Sequence, residues 1–211
     1  MCGIAGLLGP PGDPVERAGM AARMAETLVH RGPDDFGSWA DPSGEAALGF
    51  QRLSILDLSS EGHQPMTSSD GRFTIVFNGE IYNFAALKEE LVAAGFSFRG
   101  RSDTEVLLAS IVRWGIADAI PRLWGMFAFG LWDARDRVLH LVRDRLGKKP
   151  LYYGWQGNTF LFGSELKALR AHPEFQAPID RDALASYFRF SYVPAPRSIY
   201  EDIRRSHREA G

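Results

Sequence analysis

Short runs of hydrophobic residues, bounded by clusters of Gly, Pro, Ser and Asp, recur along most of the chain. Runs of this length with turn residues on both sides are typical of β-strands. The first run, Gly3–Leu8, is apolar and ends in Gly9-Pro10-Pro11-Gly12, which indicates a buried opening strand. The same pattern predicts further strands at 36–40, 46–56, 73–77, 126–132, 138–142, 151–153 and 159–162.

Other segments space their hydrophobic residues three or four positions apart, which predicts helices. One helix begins behind Asp13-Pro14, and a second begins after Asn83 and ends at Gly95. Ser102-Asp103-Thr104-Glu105 has the S-x-x-E form of a capping box, so a third helix is predicted from there to Trp114. Two further helices are predicted at 165–170 and 180–190.

The predicted strands fall in hairpin-like pairs, and the predicted helices are bunched at the start, middle and end of the chain. This order favours antiparallel sheets flanked by helices, an α+β fold, over a regular alternation of strands and helices. The stretch 191–197 is rich in proline, and 204–208 is polar and basic. We therefore predict one domain over residues 1–190, followed by a linker or tail over 191–211.

Composition and charge narrow the class of protein. The 211 residues are 45% hydrophobic and 24% charged, ordinary values that argue against a disordered, collagenous or coiled-coil chain. The net charge of −2 gives no reason to expect nucleic acid as a partner. No apolar run approaches the roughly 18 residues of a membrane span, and the first residues lack a secretory signal pattern. We expect a cytoplasmic protein with neither nucleic acid nor membrane as partner.

The lone cysteine stands at position 2. It cannot form an internal disulfide or a site with several Cys ligands, which fits a reducing compartment. Removal of Met1, common before a small side chain, would leave Cys2 with a free α-amine that can act as base for the thiol. The alternative is a cysteine near the terminus by chance. A strand at Gly3–Leu8 favours the interpretation of Cys2 as a nucleophile, because the strand would hold the terminus in a sheet.

Asn78 and Gly79 follow the apolar run 73–77. An amide side chain beside a backbone N–H can supply the two hydrogen-bond donors that a tetrahedral oxyanion needs. Asn-Gly after a strand is also typical of a hairpin turn, and the dipeptide taken by itself favours the turn.

Three charged residues are candidates for binding a small polar substrate. Arg52 ends a mixed apolar and polar strand, and a guanidinium can hold a carboxylate through two parallel hydrogen bonds. The alternative, a solvated surface arginine, is favoured by this stretch alone. Asp103 and Glu80 can each bind an ammonium group, although the capping box gives Asp103 a purely structural alternative.

Sequence motifs of metal and nucleotide enzymes are absent. The histidines show no H-E-x-x-H or comparable ligand spacing, and neither Gly-rich phosphate loop occurs. The basic segment 135–149 also contains Asp136 and Asp144, which predicts a solvated hairpin face rather than a nucleic-acid site. The sequence therefore predicts no metal site and no nucleotide site within these residues.

Several blocks of sequence occur in an order that matches a known family. They are MCGIAG at 1–6, HRGPD at 30–34, RLSI at 52–55, GHQPM at 62–66, NGEIYN at 78–83, SDTE at 102–105, RDRLG at 143–147, PLYY at 150–153 and SELK at 164–167. The chain resembles, over residues 1 to about 200, the N-terminal glutaminase domain of glutamine-hydrolysing asparagine synthetase, a class II glutamine amidotransferase. The resemblance implies the N-terminal-nucleophile hydrolase fold, a four-layer αββα sandwich of two antiparallel sheets.

The resemblance also implies catalytic roles. Cys2 would attack the side-chain amide of L-glutamine, with its own α-amine carrying the proton. Asn78 and Gly79 would hold the oxyanion. Ammonia would leave first, and water would then release glutamate from a thioester on Cys2.

Binding roles follow from the same resemblance. Arg52 would bind the α-carboxylate of glutamine, and Asp103 and Glu80 would receive its α-ammonium. The wall of the pocket beside the arginine would be formed by Leu53, Ser54, Ile55 and Leu56.

In the full enzyme, a larger synthetase domain follows, which binds ATP and aspartate and carries a Ser-Gly-Gly-x-Asp-Ser type loop. No such loop occurs in this sequence. We therefore expect this chain to perform the glutaminase half-reaction only, with ATP and Mg confined to the absent synthetase domain. Its ammonia would go to a synthetase domain or subunit, and a homodimer stays open.

Three hypotheses account for such a chain. The first is an active glutaminase that supplies a separately encoded synthetase. The second is a truncated, non-functional synthetase fragment. The third is a glutamine-binding module without catalysis, which would not need Cys2. An amidotransferase that serves another acceptor shares the Cys2 chemistry, but the segments 102–105 and 192–196 favour the asparagine type.

Overall fold

A computed structural model describes residues 1–55 and 59–206. The strands in this part of the chain are β1 (Gly3–Leu8), β2 (Asp35–Ala40), β3 (Ala46–Arg52), β4 (Met66–Thr67), β5 (Phe73–Ile81), β6 (Gly125–Asp133), β7 (Val138–Arg143), β8 (Tyr152–Gln156), β9 (Thr159–Gly163) and β10 (Ile203–Arg205). The helices are α1 (Pro14–Glu26), α2 (Phe84–Ala93), α3 (Asp103–Trp114), α4 (Ile116–Ala119), α5 (Leu166–Arg170) and α6 (Arg181–Phe190). Single 3₁₀ turns lie at Val29–Arg31, Ser60–Gly62 and Ile120–Arg122.

The described strands form two antiparallel sheets. One sheet has the order β10-β8-β9-β1-β3-β2, and the other has the order β4-β5-β6-β7. The opening strand β1 lies inside the larger sheet, where it pairs with β3 on one side and β9 on the other. The predicted antiparallel sheets are therefore confirmed. The first strand of the chain is an inner strand of the larger sheet.

Hydrophobic side chains cover both faces of each sheet and produce four layers. Alternate residues of a strand point to opposite faces, so Ala5 and Leu7 of β1 face α1 and α5, whereas Ile4 faces the other sheet. In the smaller sheet, Phe77 and Phe129 pack against α2 and α3. The two sheets meet around the buried side chains of Phe50, Trp132 and Phe162. This αββα order confirms the fold that the resemblance implied.

Helix starts follow the predicted chemistry at some positions and depart from it at others. Asp13 accepts a hydrogen bond from the N–H of Val15 at 2.8 Å and caps α1, as predicted. Asn83 precedes α2 but does not cap it with its side chain. Its amide instead accepts from the N–H of Trp124 at 2.9 Å and donates to the carbonyl of Arg122 at 2.9 Å. Asn83 therefore joins α2 to the segment before β6.

The capping box at the start of α3 is half formed. The Ser102 hydroxyl accepts from the N–H of Thr104 at 3.1 Å, as a cap should. The Glu105 carboxylate accepts from the N–H groups of Arg99 and Gly100, at 2.8 and 3.0 Å, and so holds the loop before the helix.

Two strand predictions were wrong at the ends that border the site residues, and the strand predicted at 151–153 extends to Gln156. The run 46–56 leaves the sheet after Arg52, and residues 53–55 have no strand conformation. The strand predicted at 73–77 continues to Ile81, so Asn78 and Gly79 form no hairpin turn. They pair with Ala128 and Phe127 of β6, which continues alongside β5 and supplies the hydrogen-bonding partners.

The C-terminal segment contributes to the larger sheet. Strand β10 pairs with β8, with Ile203 opposite Gly154, and Ile203 is 2% exposed. The division into a domain at 1–190 and a tail at 191–211 stays a prediction. Within residues 1–55 and 59–206, no helix has the length and apolar character needed to cross a membrane.

Candidate active site

Cys2 lies directly before β1, and its backbone carbonyl is held by Arg31, which Glu165 holds in turn. The Arg31 Nε donates to the carbonyl oxygen of Cys2 at 3.0 Å, and Arg31 Nη1 donates to Glu165 Oε1 at 2.9 Å. Glu165 follows Ser164, whose hydroxyl accepts from the N–H of Ile4 at 3.1 Å. The first residues of the chain are thus fixed on both sides of β1, which a positioned N-terminal nucleophile requires.

The Cys2 thiol contacts the backbone of Leu53, immediately after β3. Its Sγ accepts from the N–H of Leu53 at 3.4 Å and lies 3.7 Å from the carbonyl oxygen of the same residue. Burial raises the pKa of the Cys2 thiol, while the Leu53 hydrogen bond and the charges of the Met1 amine and Arg52 act in the opposite direction. The thiol therefore needs a base to become a thiolate at neutral pH.

Arg52 is buried at the end of β3, where its guanidinium is held in place. Nη1 donates to the carbonyl of Ser59 at 2.9 Å and lies 4.0 Å from Asp35 Oδ2. A Cβ atom at Gly62 would lie 2.0 Å from Arg52 Nη2, so only glycine leaves room for the guanidinium there. The alternative of a solvated surface arginine is wrong, since the residue is 8% exposed.

Asn78 carries a buried amide without an internal partner. The residue is 1% exposed, and neither Nδ2 nor Oδ1 forms a hydrogen bond within the described part of the chain. Buried polar atoms are almost always hydrogen-bonded, and leaving one unpaired costs about 1–3 kcal/mol. The side chain is therefore arranged for a group from outside the chain.

Gly79, the next residue of β5, lies close to β6. A Cβ atom there would lie 2.5 Å from the carbonyl oxygen of Met126 and 2.6 Å from Cβ of Phe127. Any side chain at this position would push the two strands apart, and the neighbouring Asn78 amide would move with them.

Asp103 is the first residue of α3 and is 6% exposed. Its Oδ2 accepts from the N–H of Ile81 at 2.9 Å, which joins the helix to the end of β5. Burial raises the pKa of the Asp103 carboxyl to about 6, and the charge of Glu80 acts in the same direction. Desolvated carboxyl groups of this kind cluster at functional sites, where a cation can compensate them.

One cavity of about 160 Å³ brings the predicted residues together. Eight of them line it: Cys2, Arg52, Leu53, Ile55, Asn78, Gly79, Glu80 and Asp103. Ser54 is not part of this lining, and its N–H donates to Asp34 Oδ2 at 2.8 Å. Leu56 lies outside the described residues.

The chemistry of the cavity suits a small zwitterion with an amide or acyl group. The guanidinium of Arg52 offers a partner for a carboxylate, and Asp103 and Glu80 offer partners for an ammonium. A thiol and an unpaired amide lie in the same space. In the described residues, no group of three or more His, Cys, Asp or Glu side chains is placed to hold a metal ion.

Comparison with known proteins agrees with this arrangement. A family model described as a glutamine amidotransferase domain matches residues 1–208. The chain belongs to the glutamine amidotransferase domain family. It is an enzyme domain of the class II type, with the N-terminal-nucleophile hydrolase fold.

Relatives of this amidotransferase domain are larger proteins. The chain is 43% identical over 190 residues to glutamine-hydrolysing asparagine synthetase 3 of Bacillus subtilis (strain 168), covering 89% of this chain and 30% of the relative. It is 39% identical over 207 residues to asparagine synthetase 1 of the same organism, covering 97% of this chain and 32% of the relative. The chain thus spans about a third of the length of these curated relatives.

Solved structures share the fold of the amidotransferase domain. The glutamine phosphoribosylpyrophosphate amidotransferase of B. subtilis superposes with a TM-score of 0.70 at 24% sequence identity. The match covers 81% of this chain and 43% of that protein. At this identity the likeness concerns the fold alone.

Sequence reasoning missed other residues that line the cavity of the amidotransferase domain. Gln64 accepts from the N–H of Phe77 at 2.6 Å and donates to the Thr104 hydroxyl at 3.2 Å, and so ties β5 to α3. Lys149 was placed on a solvated face, which is wrong because it is 5% exposed. Gln64 lies inside the matched block at 62–66, which was the available signal for it. Lys149 had no signal beyond its place between the blocks at 143–147 and 150–153.

Proposed function

We propose that the chain hydrolyses L-glutamine to glutamate and ammonia through a thioester on Cys2. The unpaired amide of buried Asn78, which lines the same cavity as the thiol, is the single observation that carries this proposal. A folded protein tolerates an unpaired buried amide where the bound reactant supplies its partner, as an oxyanion site does.

Substrate binding uses the charged residues of the cavity. Arg52 binds the α-carboxylate of glutamine, and Asp103 and Glu80 receive the α-ammonium. The raised pKa of Asp103 supports this role, because a cationic substrate relieves the cost of a desolvated carboxylate. Leu53, with Ile55, forms the wall that directs the substrate side chain toward Cys2.

The reaction begins after Met1 has been removed. The α-amine of Cys2 takes the thiol proton, and the sulfur attacks the side-chain amide carbon of glutamine. Asn78 Nδ2 and the N–H of Gly79 donate hydrogen bonds to the oxyanion. The carbon–nitrogen bond then breaks while the Cys2 ammonium returns its proton to the leaving nitrogen, which departs as ammonia. Water, deprotonated by the same amine, attacks the thioester and releases glutamate.

Ammonia passes to a synthetase domain or subunit that amidates aspartate. The similarity to glutamine-hydrolysing asparagine synthetases supports this acceptor. ATP and Mg belong to the acceptor, and the glutaminase step needs no cofactor or metal of its own. We place this activity in the cytoplasm.

Glutamine hydrolysis by the purified chain tests the proposal. Glutamate and ammonia are measured with and without a candidate synthetase, for the wild type and for Cys2→Ala. Without the synthetase, we expect equal amounts of both products from the wild type. In both conditions we expect no glutamate above background from the variant. Glutamine binding without turnover in the wild type would instead indicate a binding module, and turnover by Cys2→Ala would exclude the thioester.

A further inference from the structure

A buried lysine with no assigned role lies in the glutamine pocket. Lys149 is 5% exposed and lines the cavity together with Cys2, Asn78 and Glu80. Lysine is almost never buried to this degree unless its charge has a partner. Its neighbour Lys148 is exposed, so burial is specific to the one side chain that enters the pocket.

The loop that carries Lys149 is fixed by a buried carboxylate. Asp144 accepts from the N–H groups of Leu146 and Lys148 at 3.0 Å each, and from those of Phe127 and Lys149 at 3.2 Å each. Four backbone donors on one carboxylate leave the loop little freedom. They also attach it to β6, the strand that pairs with Asn78 and Gly79.

A second charged residue holds the carbonyl oxygens of the same loop. The guanidinium of Arg143 donates to the carbonyl oxygens of Gly147, Lys149 and Ser206. The backbone of Lys149 is therefore held at both its N–H and its C=O. The Lys149 side chain therefore starts from a fixed point of the backbone at the wall of the pocket.

Charged groups face Lys149 from several elements. Burial and the nearby charge of Arg31 lower the pKa of Lys149, whereas Cys2, Glu80 and Asp144 act in the opposite direction. Lys149 is also among the charges that lower the pKa of the Met1 amine, after burial and Arg31, and this amine lies one residue before the nitrogen that becomes the Cys2 α-amine when Met1 is removed. A positive charge favours an unprotonated amine and an ionised thiol.

We propose that Lys149 is a positioning residue for the nucleophile: its ammonium favours the Cys2 thiolate and the unprotonated α-amine, and so sets the pH at which Cys2 becomes reactive. The inference rests on the proposed function, since it assigns Cys2 the role of nucleophile. Arg52 and Asp103 also face Cys2: the charge of Arg52 lowers the pKa of the thiol, and the charge of Asp103 raises it. Lys149 adds a positive charge that reaches the Cys2 thiol and the Met1 amine, which adjoins the nitrogen that becomes the Cys2 α-amine.

Alkylation of Cys2 measures this effect without glutamine. Cys2 is the single cysteine of the chain, so its reaction with iodoacetamide can be followed from pH 5 to 10 by mass spectrometry. In Lys149→Met we expect the midpoint of the pH–rate profile to rise by about one unit, as loss of a nearby opposite charge predicts. Lys149→Arg keeps the charge and should restore the midpoint, and exposed Lys148→Met should leave it unchanged.

Glutamine turnover separates this inference from the proposed function. For Lys149→Met we expect kcat/KM at pH 7 to fall about tenfold, in line with a one-unit shift, with KM little changed. An unshifted alkylation midpoint in folded Lys149→Met, or in Lys149→Gln if the first variant does not fold, would overturn the role of Lys149 even if glutamine is hydrolysed. A shifted midpoint in a chain that hydrolyses no glutamine would overturn the glutaminase and leave the role of Lys149 intact.

Discussion

At the scale of single residues, the pocket contains polar groups whose burial lowers the stability of the folded chain. Asn78 has an unpaired amide, and Asp103 has a desolvated carboxyl. Each is a kind of residue that substitution for stability alone would remove. The substrate that we propose would supply a partner to both groups. At each position we therefore expect a substitution that lowers activity without lowering the stability of the folded chain.

Asn78→Ala removes the unpaired amide together with one oxyanion donor. We expect the free energy of unfolding to stay within about 1 kcal/mol of wild type, because the lost packing is offset by relief of the desolvated amide. The kcat for glutamine should fall about 100-fold or more. Chemical denaturation and steady-state kinetics check the two values. A large loss of stability with an unchanged kcat would indicate a structural role instead.

Asp103→Asn should change the stability of the folded chain in a way that depends on pH. The pKa of the Asp103 carboxyl is about 6 in the folded chain, against an ordinary value of 3.8. Ionisation is therefore harder in the folded chain than in the unfolded chain, and the folded state loses stability as pH rises from about 4 to 6. We expect the variant to be more stable than wild type above pH 6, by at most about 3 kcal/mol, with little difference at pH 4.

The same variant should bind glutamine poorly, with KM raised at least about tenfold, because a charge-assisted hydrogen bond contributes about 1.5–3 kcal/mol. Thermal melts at pH 4 and pH 7.5, with glutamine titrations at pH 7.5, check both effects. A variant that is less stable than wild type at pH 7.5 would contradict the desolvated carboxylate.

At the scale of elements, the hydrophobic pattern predicted the strands well where they are apolar runs buried between two layers, as β1, β3 and β9 are. The pattern gave a wrong strand end where pairing with a strand distant in sequence determines the local structure. Asn78 and Gly79 read as a turn, yet β6 extends alongside them and keeps β5 in the sheet to Ile81. Burial of Lys149 depends on Asp144 and Arg143, whose bonds to the loop cannot be read from the alternation of charges.

Candidate site residues were easier to identify than their surroundings. Cys2, Arg52 and Asp103 stand in sequence blocks that match a family, and all three line one cavity. The steric reasons for Gly62 and the tie formed by Gln64 emerge only when β5, α3 and the 3₁₀ turn at Ser60–Gly62 are brought together.

The start of α3 couples helix capping to substrate binding. In Ser102→Ala the cap to Thr104 is lost, which should cost about 1 kcal/mol and lower Tm by about 2–4 °C. Asp103 is the next residue, so KM for glutamine should rise as well. Exposed Ser97→Ala is the matched control. Calorimetry and kinetics check the pair, and an unchanged KM in a destabilised Ser102→Ala would show that the cap does not position Asp103.

At the scale of the whole molecule, the C-terminal strand closes one edge of the larger sheet. Ile203 is buried against the core that α1 and α5 form, and Ser206 accepts a hydrogen bond from Arg143. These contacts link the end of the described chain to the loop of Lys149. A domain limited to residues 1–190 would lack all of them.

Truncation after residue 190 tests that boundary. We expect the shorter chain to melt at least about 5 °C below the full chain, since a buried isoleucine alone contributes about 1.5–3 kcal/mol. Ile203→Ala should reproduce part of the loss, whereas exposed Arg204→Ala should not. Melting of the 1–190 chain at the temperature of the full chain would support the predicted boundary.

The central claim is that Cys2 acts as nucleophile with its own α-amine as base. It is tested most directly by comparing glutamate release from two preparations whose N-termini are established by intact mass spectrometry. One begins at Cys2, and the other keeps a residue before it. We predict glutamate release only from the chain that begins at Cys2. Equal rates from both preparations would contradict the claim, because the second has no free amine on Cys2.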